Sequence, residues 1–504
     1  MTEKSDPRDF TTRAWFDRIR SMPSLPVIVV IAALVLTYGY EVFSFNLTVD
    51  EDATSTAGPF ERAGWSIAEG RWAMALLTLL VPNPVAPVVS NGIGIALSGV
   101  AWWLIARRLL KMPPWHAAFA AAVAGTVPVM AFIFSFSTIA FAIGIGNMLL
   151  VAFFIGLSSR SWWLRSAAVV AAMTAIAVYD TFLVAIAAMA LALIVRRPNF
   201  MTVGLAVGGS VLGLVASRLV GLVVSLATNV PQSGYTSGFF DVAGLVATPR
   251  ARVASAIHDF WGVLSLSTER FALSSPWLAV SSILILVAAV LGLVLVKTPL
   301  KERLIRTAAV VALVALPFCV EAVASVVLLR SMFYLPIVLI ALTSVASAGV
   351  RRFPTRSRAF AKCIIAAAMA LAIVGNAAIA NRSFSIAATT YSLDADLAFE
   401  IGQQKDVLLH GDNNVDLPVV VSGEHSWPEG AFTATRETLG LSLFNLNSSR
   451  TTKFLRAQGV LVHEASRAQA TRVRDAIRTM PAYPEPGWIA IDHGVLILNF
   501  EQDE

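Results

Sequence analysis

Long apolar runs, each bounded by polar or charged residues, occupy most of residues 25–381. A run of about 20 mostly apolar residues can cross the hydrocarbon core of a bilayer as a helix. The chain is 57% hydrophobic and 14% charged, whereas soluble domains are about a quarter charged. We therefore predict a polytopic α-helical membrane protein with about eleven spans, at residues 25–47, 85–106, 115–135, 138–158, 165–179, 181–195, 200–226, 276–296, 305–328, 333–350 and 360–381.

The fifth and sixth runs are short and meet at "VYDTF", so they are either a tilted pair of spans or one broken helix. The distribution of Lys and Arg favours two spans, because it then places basic groups in nearly every loop on the side of the N-terminus. On this count residues 1–24 form a cytoplasmic tail and not a cleaved signal peptide. The opposite loops hold only Arg62, Arg71, Arg250, Arg252, Arg270 and Arg330.

Residues 383–504 have an ordinary charge density and the pattern of a small α/β domain on the outer face. We predict helices at "DADLAFEIGQQ" and "SRAQATRVRDAIRTM", strands at "LPVVVSG" and "GVLVHEA", and a hairpin in "GWIAIDHGVLILNF" that turns at Asp492–Gly494. The domain boundaries are therefore 1–24, 25–382 and 383–504. The membrane domain has two long outer loops, 47–84 and 228–276.

Three consecutive acids, Asp50, Glu51 and Asp52, follow the first span directly. Adjacent carboxylates repel, so at least one is protonated more readily than a free carboxylate. A cluster of acids suits a general base, or a site that holds a metal or another cation. A solvated acidic turn is the alternative. The loop continues into "GPFERAGWSIAEGRWAMALLTLLVPNP", which predicts two helices lying in the membrane interface. Such a long loop favours a functional site.

A few ionisable residues lie at the same depth as the acids. We single out Arg71, Arg330, Tyr179, Asp180 and Arg250, because ionisable groups at a membrane are costly and are often functional. The alternatives are a lipid anchor for Arg71 or Arg330 and a helix cap for Asp180. An arginine side chain is suited to binding phosphate. A carboxylate is suited to removing the proton from a hydroxyl group. Glycosyl transfer from a polyprenyl-phosphate sugar to a hydroxyl is a function that uses both.

The first loop and the C-terminal end resemble a known family. The acidic motif, the membrane-lying helices and the outward C-terminal domain look like the GT-C superfamily of glycosyltransferases. More closely, "TVDEDATS…GWSIAEGRWAMALL" and "RTMPAYPEPGWIAIDHGVLILNF" are similar to the type II serotype-converting O-antigen glucosyltransferases of bacteria. "VYDTF" resembles the tyrosine-containing turn of that family, with Asp180 where a glutamine is expected.

The resemblance implies transfer of a glucosyl or similar residue from undecaprenyl phosphate to an O-antigen or other cell-surface polysaccharide, at the periplasmic face of the bacterial inner membrane. Asp50 would be the general base, and Glu51 or Asp52 would orient the acceptor or share the proton. Arg71 would bind the donor phosphate or brace the loop. Arg330 is a second phosphate candidate from its position alone. No cofactor is implied beyond the lipid-linked donor, and a divalent cation at the triplet is left open.

Other functions compete with this one. Buried acids such as Glu321 and Asp180 also suit an ion-coupled transporter or a flippase for lipids, although no duplicated half is evident. A non-catalytic assembly protein that binds cell-wall polymer is a third option. The net charge of +6 does not indicate a nucleic-acid partner, because the basic residues punctuate apolar runs and form no stripe. The expected partners are membrane lipids, the donor and the polysaccharide acceptor.

Overall fold

A computed structural model describes most of the chain. It covers residues 25–44, 46–48, 51, 57–80, 87–198, 200–233, 242–265, 276–295, 299–323, 329–350, 355–412, 414–428, 430, 433, 439–445 and 448–501. The predicted tail at residues 1–24 lies outside these ranges, as do Asp50 and Asp52 of the acidic triplet.

Helices occupy all eleven predicted apolar runs, and shorter helices occupy the long loops. The helices of the first half are α1 (Leu25–Phe43), α2 (Pro59–Ala68), α3 (Trp72–Leu80), α4 (Pro87–Leu104), α5 (Pro114–Thr126), α6 (Ala131–Phe134), α7 (Ser137–Leu157), α8 (Trp162–Val178) and α9 (Phe182–Arg196). The next seven are α10 (Phe200–Thr228), α11 (Val242–Ala247), α12 (Pro249–Ser265), α13 (Pro276–Leu295), α14 (Leu300–Val323), α15 (Leu335–Val350) and α16 (Thr355–Leu408). The two helices predicted in the first outer loop are α2 and α3.

The helices define a multi-pass membrane protein. Within the described ranges, six helices are long and apolar enough to cross a bilayer, and a seventh span is gained if one bent pair is counted together. Three of the eleven predicted runs form shorter apolar helices, α8 (Trp162–Val178), α9 (Phe182–Arg196) and α15 (Leu335–Val350). In α13 the described side chains cover only Ile283–Val294. Length and composition therefore support six or seven crossings, and the full count of eleven stays a prediction.

The bent pair lies in the third predicted run, 115–135, which we expected to be one helix. It consists of α5 and the segment Pro128–Phe134, which meet at an angle of 55°. Pro128 explains the break, because proline lacks the N–H that a continuing helix needs. The residue before it, Val127, has an extended conformation (φ −56°, ψ 129°), as residues before proline prefer. The short α6 that follows leads directly to α7.

The last helix, α16, runs for 54 residues without interruption. At 1.5 Å per residue it is roughly 80 Å long, far more than the ~30 Å hydrocarbon core. The separate helix predicted at "DADLAFEIGQQ" is therefore the C-terminal part of the same helix that begins at Thr355. The helix also crosses the predicted domain boundary at 382–383 without a break.

The C-terminal residues form a mixed four-stranded sheet. Its strands are β1 (Leu417–Ser422), β2 (Val462–Glu464), β3 (Ile489–Asp492) and β4 (Val495–Asn499), in the order β2-β1-β4-β3. Strands β2 and β4 run parallel to β1, and β3 and β4 form the predicted hairpin. His493 and Gly494, both with positive φ, make its two-residue turn. Helix α17 (Ser448–Ala457) lies between β1 and β2 in the chain. The predicted helix at "SRAQATRVRDAIRTM" is two short helices, α18 (Arg467–Arg472) and α19 (Arg474–Thr479).

The C-terminal region packs against the C-terminal part of α16 and against the first loop. Asp394 of α16 is buried and accepts hydrogen bonds of 2.7 Å from Trp427 Nε1, Ser442 Oγ and the backbone N–H of Leu443. Leu47, just after α1, belongs to the same buried apolar cluster as the strands. The C-terminal region therefore lies on the side of the bundle where the first loop begins.

Candidate active site

The N-terminus of α7 is positioned by unusually close packing against α4. A Cβ added to Gly94 of α4 would lie 2.2 Å from the carbonyl oxygen of Ala140, and one added to Gly144 would lie 2.6 Å from the carbonyl oxygen of Gly94. Small residues at such a crossing let two helix backbones approach. The Ser90 hydroxyl of α4 also hydrogen-bonds to the Ser137 carbonyl. The first turn of α7 is therefore held rigidly against α4.

Glu51 of the acidic triplet is fully buried against that first turn. Its Oε1 accepts hydrogen bonds from Ser137 Oγ (2.6 Å) and, at 3.4 Å, from the Thr138 backbone N–H. Its Oε2 accepts from the Thr48 backbone N–H (3.1 Å) and hydroxyl (2.9 Å). A carboxylate in this position also interacts favourably with the positive end of the helix dipole. Glu51 thus ties the first loop to α7.

Arg330 approaches the same turn from the other side. It lies in a single 3-10 turn, Leu329–Ser331, and its guanidinium carbon is 5.2 Å from the centre of the Phe136 ring. Phe136 precedes Ser137, the residue that binds Glu51. An arginine over an aromatic face makes a cation–π contact, and its planar guanidinium has a shape that suits phosphate.

Aromatic contacts continue from this turn to the "VYDTF" segment. Phe333 contacts Tyr179 edge-on, with 5.7 Å between ring centres. Arg71 of "EGRW" covers the Tyr179 ring at 4.5 Å and forms an ion pair of 2.6 Å with Glu69. Gly70 has a φ of +75°, a conformation that glycine adopts at little cost. This sharp turn between α2 and α3 turns Arg71 toward Tyr179.

Asp180 pairs with a residue that our sequence analysis did not single out. Its Oδ1 lies 2.9 Å from Arg218 Nη2 of α10. Its carboxylate therefore serves an ion pair, and α9 is capped by Thr181 without a side-chain hydrogen bond. Arg218 is the only charged residue in the apolar run 200–228, and charged residues inside such runs are often functional. That signal was available from the sequence.

Together these residues form the acid–arginine cluster, defined here as Glu51, Arg71, Tyr179, Asp180, Arg218 and Arg330. The carboxyl groups of Glu51 and Asp180 are shielded from water, and this shifts their pKa values. Burial raises the pKa of the Glu51 carboxyl, and the hydrogen bonds from Ser137 and Thr48 oppose that rise. Burial also raises the pKa of Asp180, against the effect of the guanidinium groups of Arg218 and Arg71. Two of its arginines are paired with carboxylates, Arg71 with Glu69 and Arg218 with Asp180, and guanidinium groups suit the binding of phosphate.

Several predicted site residues are not brought into this cluster. Arg250 is exposed at the start of α12, a helix whose main contacts are with α14. Asp50, Asp52 and the side chain of Glu321 lie outside the described residues. Among the residues that the structure describes, no group of three His, Cys, Asp or Glu side chains is arranged to hold a metal ion. Because two of the three acids are outside that set, the cation site at the triplet is untested.

The fold and the cluster define a multi-pass membrane protein with a charged site at one end of its helix bundle. Residues 39–347 match the family described as Glucosyl transferase GtrII, a stretch that is more than half of the chain and contains the whole acid–arginine cluster. The chain belongs to this family, so it is a transmembrane glucosyltransferase of the O-antigen modification class. Comparison with curated proteins and with solved structures gives no match.

Proposed function

We propose that this protein transfers a glucosyl residue from a polyprenyl-phosphate donor to a hydroxyl of an O-antigen or similar surface polysaccharide, at the periplasmic face of the bacterial inner membrane. The observation that carries the proposal is the acid–arginine cluster, which lies within the family match and beside the C-terminal region. The enrichment of Lys and Arg in alternate loops supports a cytoplasmic N-terminus and a periplasmic C-terminal region.

The donor phosphate would bind at Arg330. Its guanidinium lies over Phe136 at the N-terminus of α7, and a planar guanidinium can bind phosphate oxygens in a bidentate way. Arg71 is held by Glu69 and Tyr179, so it suits the role of a brace for the first loop. Tyr179 and Asp180 would form the side of the donor site next to Arg71 and Arg218, which they contact. Arg250 keeps the role of a peripheral substrate contact as a prediction from sequence.

The reaction would be a single displacement that inverts the anomeric carbon. The acceptor hydroxyl oxygen forms a bond to that carbon while the bond from the carbon to the phosphate oxygen breaks. Asp50 takes the hydroxyl proton as general base, with Asp52 as the second candidate. The phosphate leaves on its lipid as an anion, stabilised by arginine, and therefore needs no general acid. Glu51 acts as a positioning residue, because both of its oxygens accept hydrogen bonds from the protein.

The proposal is tested with purified protein in proteoliposomes that contain polyprenyl-phosphate glucose and O-antigen acceptor, with release of polyprenyl phosphate as the readout. Asp50→Asn should reduce transfer by about 10²–10⁴-fold, as expected for loss of a general base. Arg330→Met should reduce it by about 10²–10³-fold, as for loss of one charge-stabilising donor. Glu61→Gln, an exposed acid of the same loop, and Arg197→Met, an exposed arginine beyond α9, are the matched controls.

Transfer that survives Asp50→Asn, Glu51→Gln and Asp52→Asn together would contradict the catalytic assignment. A transporter or flippase makes a different prediction in the same vesicles. The donor lipid would change leaflet without release of polyprenyl phosphate, and that result would replace our proposal.

We also propose that the C-terminal region recognises the acceptor. Removal of residues 385–504 tests this part of the proposal. Unchanged acceptor selectivity would contradict it.

A further inference from the structure

A second candidate site lies at the opposite end of the bundle. A cleft of ≈ 730 Å³ opens between the first turns of α5, the last turns of α15 and the early turns of α16. Helix α15 begins five residues after Arg330 and is 16 residues long, so its far end is about 24 Å from the turn that carries Arg330. The cleft is therefore separate from the acid–arginine cluster.

The polarity of the cleft changes along the helices that line it. Near the helix ends lie Lys362, which is exposed, and His116, which hydrogen-bonds to Ser347. Farther along the same helices the lining is apolar, with Phe119 on α5 and Met369 on α16. This gradient from charged rim to apolar wall matches a lipid that enters with its headgroup at the membrane surface.

The charge around the cleft has one sign. The sequence contains no Asp or Glu between Glu69 and Asp180, or between Glu321 and Asp394, and these two segments supply the whole lining. Lys111, exposed, lies beside the cleft residue Met112, whose carbonyl accepts a hydrogen bond of 3.1 Å from Arg107. Basic pockets between membrane helices bind the headgroups of anionic lipids.

We propose that this cleft binds an anionic phospholipid, with the headgroup phosphate at Lys362 and His116 and one acyl chain along the apolar wall. Trp115 at the rim lies beside Phe119, with 6.4 Å between ring centres, and tryptophan favours headgroup depth in membranes. The assignment does not depend on the donor or acceptor of the transfer reaction.

The test uses the full-length protein in nanodiscs of phosphatidylcholine with or without phosphatidylglycerol, followed by native mass spectrometry of the lipid that stays bound. The wild type should retain phosphatidylglycerol in preference to phosphatidylcholine. Lys362→Gln should weaken that retention about fivefold, the effect of one lysine near an anionic headgroup. Lys301→Gln removes an exposed lysine of α14 that does not line the cleft, and it should leave retention unchanged.

A second variant tests the apolar wall. Ala366→Phe fills the cleft with an aromatic side chain and should displace the lipid while all basic residues remain. Equal retention by Lys362→Gln and Lys301→Gln, or unchanged retention by Ala366→Phe, would overturn the proposal. Displacement of phosphatidylglycerol by an equal amount of polyprenyl phosphate would overturn the choice of a phospholipid. Glucosyl transfer by each variant shows that the chain is folded.

Discussion

At the scale of single residues, Glu51 is the member of the acidic triplet that the structure describes, and both of its oxygens accept hydrogen bonds from the protein. Its two oxygens accept hydrogen bonds from Thr48, on its own loop, and from Ser137, 86 residues away. A buried carboxylate that already satisfies these donors has little capacity left for a substrate hydroxyl. In our proposal the acceptor's proton is therefore taken by Asp50 or Asp52, and Glu51 has a positioning role.

Replacing Glu51 tests this positioning role. Glu51→Ala leaves the hydroxyl of Ser137 and the N–H of Thr48 buried without their acceptor, which costs about 1–3 kcal/mol for each group. We expect a lower melting temperature and loss of transfer. Glu51→Gln keeps an acceptor oxygen and should retain most of the stability. Thermal unfolding in detergent measures both, and equal melting temperatures for Glu51→Ala and Glu61→Ala would contradict the role.

The same residue predicts a pH dependence of stability. Burial raises the pKa of Glu51 above its ordinary value of 4.5, so the folded protein holds this proton more tightly than the unfolded chain. Its contribution to stability is then complete below about pH 4.5 and declines as the pH rises through the folded-state pKa. The melting temperature of Glu51→Gln, which cannot ionise, should decline less over that interval. A parallel decline in both proteins would show that other groups are responsible.

The triplet and the arginines could be singled out from the sequence as candidate site residues, because charge beside a membrane is costly. Their partners could not, because Glu51 and Ser137 are far apart in the chain and only the α4–α7 crossing brings Ser137 to the loop. Arg218 was missed although it is the only charge in its apolar run. Its partner, Asp180, was singled out from the turn alone, with a helix cap as the alternative.

At the scale of elements, the crossing of α4 and α7 sets the geometry of the site. Gly94 and Gly144 face each other at a distance that leaves no room for a Cβ. The helices themselves were predicted from their apolar runs, since their ends are marked by charges, Pro or Gly. The break at Pro128 was also readable from the sequence, although we expected one continuous helix there. The crossing of α4 and α7 could not be predicted from the sequence, because the periodicity of apolar residues does not show which helices pack together.

Adding one methyl group should separate these helices. Gly94→Ala places a Cβ where the Ala140 carbonyl oxygen lies 2.2 Å away, so α4 and α7 must move apart. Overpacking of this kind costs typically 1–3 kcal/mol, and we expect a lower melting temperature with a large loss of transfer. Gly204→Ala is the matched control in helix α10, because no atom lies within 4 Å of its added Cβ. It should be neutral or slightly stabilising.

At the scale of the whole molecule, Asp394 joins the membrane helices to the C-terminal region. Three donors from that region converge on this one carboxylate in the C-terminal part of α16. The strands and the hairpin of that region were predictable from alternating apolar residues. The continuity of α16 could also have been noticed, because no Pro or Gly occurs between Gly375 and Gly402. The anchoring role of Asp394 depends on residues 33–49 positions later and could not be predicted.

Removal of this carboxylate should loosen the C-terminal region. Asp394→Ala leaves Ser442 Oγ and the Leu443 N–H without their acceptor, at a cost of about 1–3 kcal/mol for each buried group. Limited proteolysis should then release the C-terminal region faster, and the fluorescence of Trp427 should change. Asp396→Ala, an exposed acid two residues away, is the control. Equal proteolysis rates for the two variants would contradict the anchor.

The length of α16 determines how the C-terminal region is oriented relative to the cleft at the other end of the bundle. One unbroken helix carries Lys362, which lines the cleft, and Asp394, which binds the C-terminal region. The angle between the two side chains about the helix axis is therefore fixed by the number of residues between them. A single inserted residue would turn everything beyond it by about 100° and advance it by about 1.5 Å. The C-terminal sheet would then face away from Leu47, although no contact inside the bundle had changed. The number of residues in α16 therefore sets the direction in which the C-terminal region faces relative to the helix bundle.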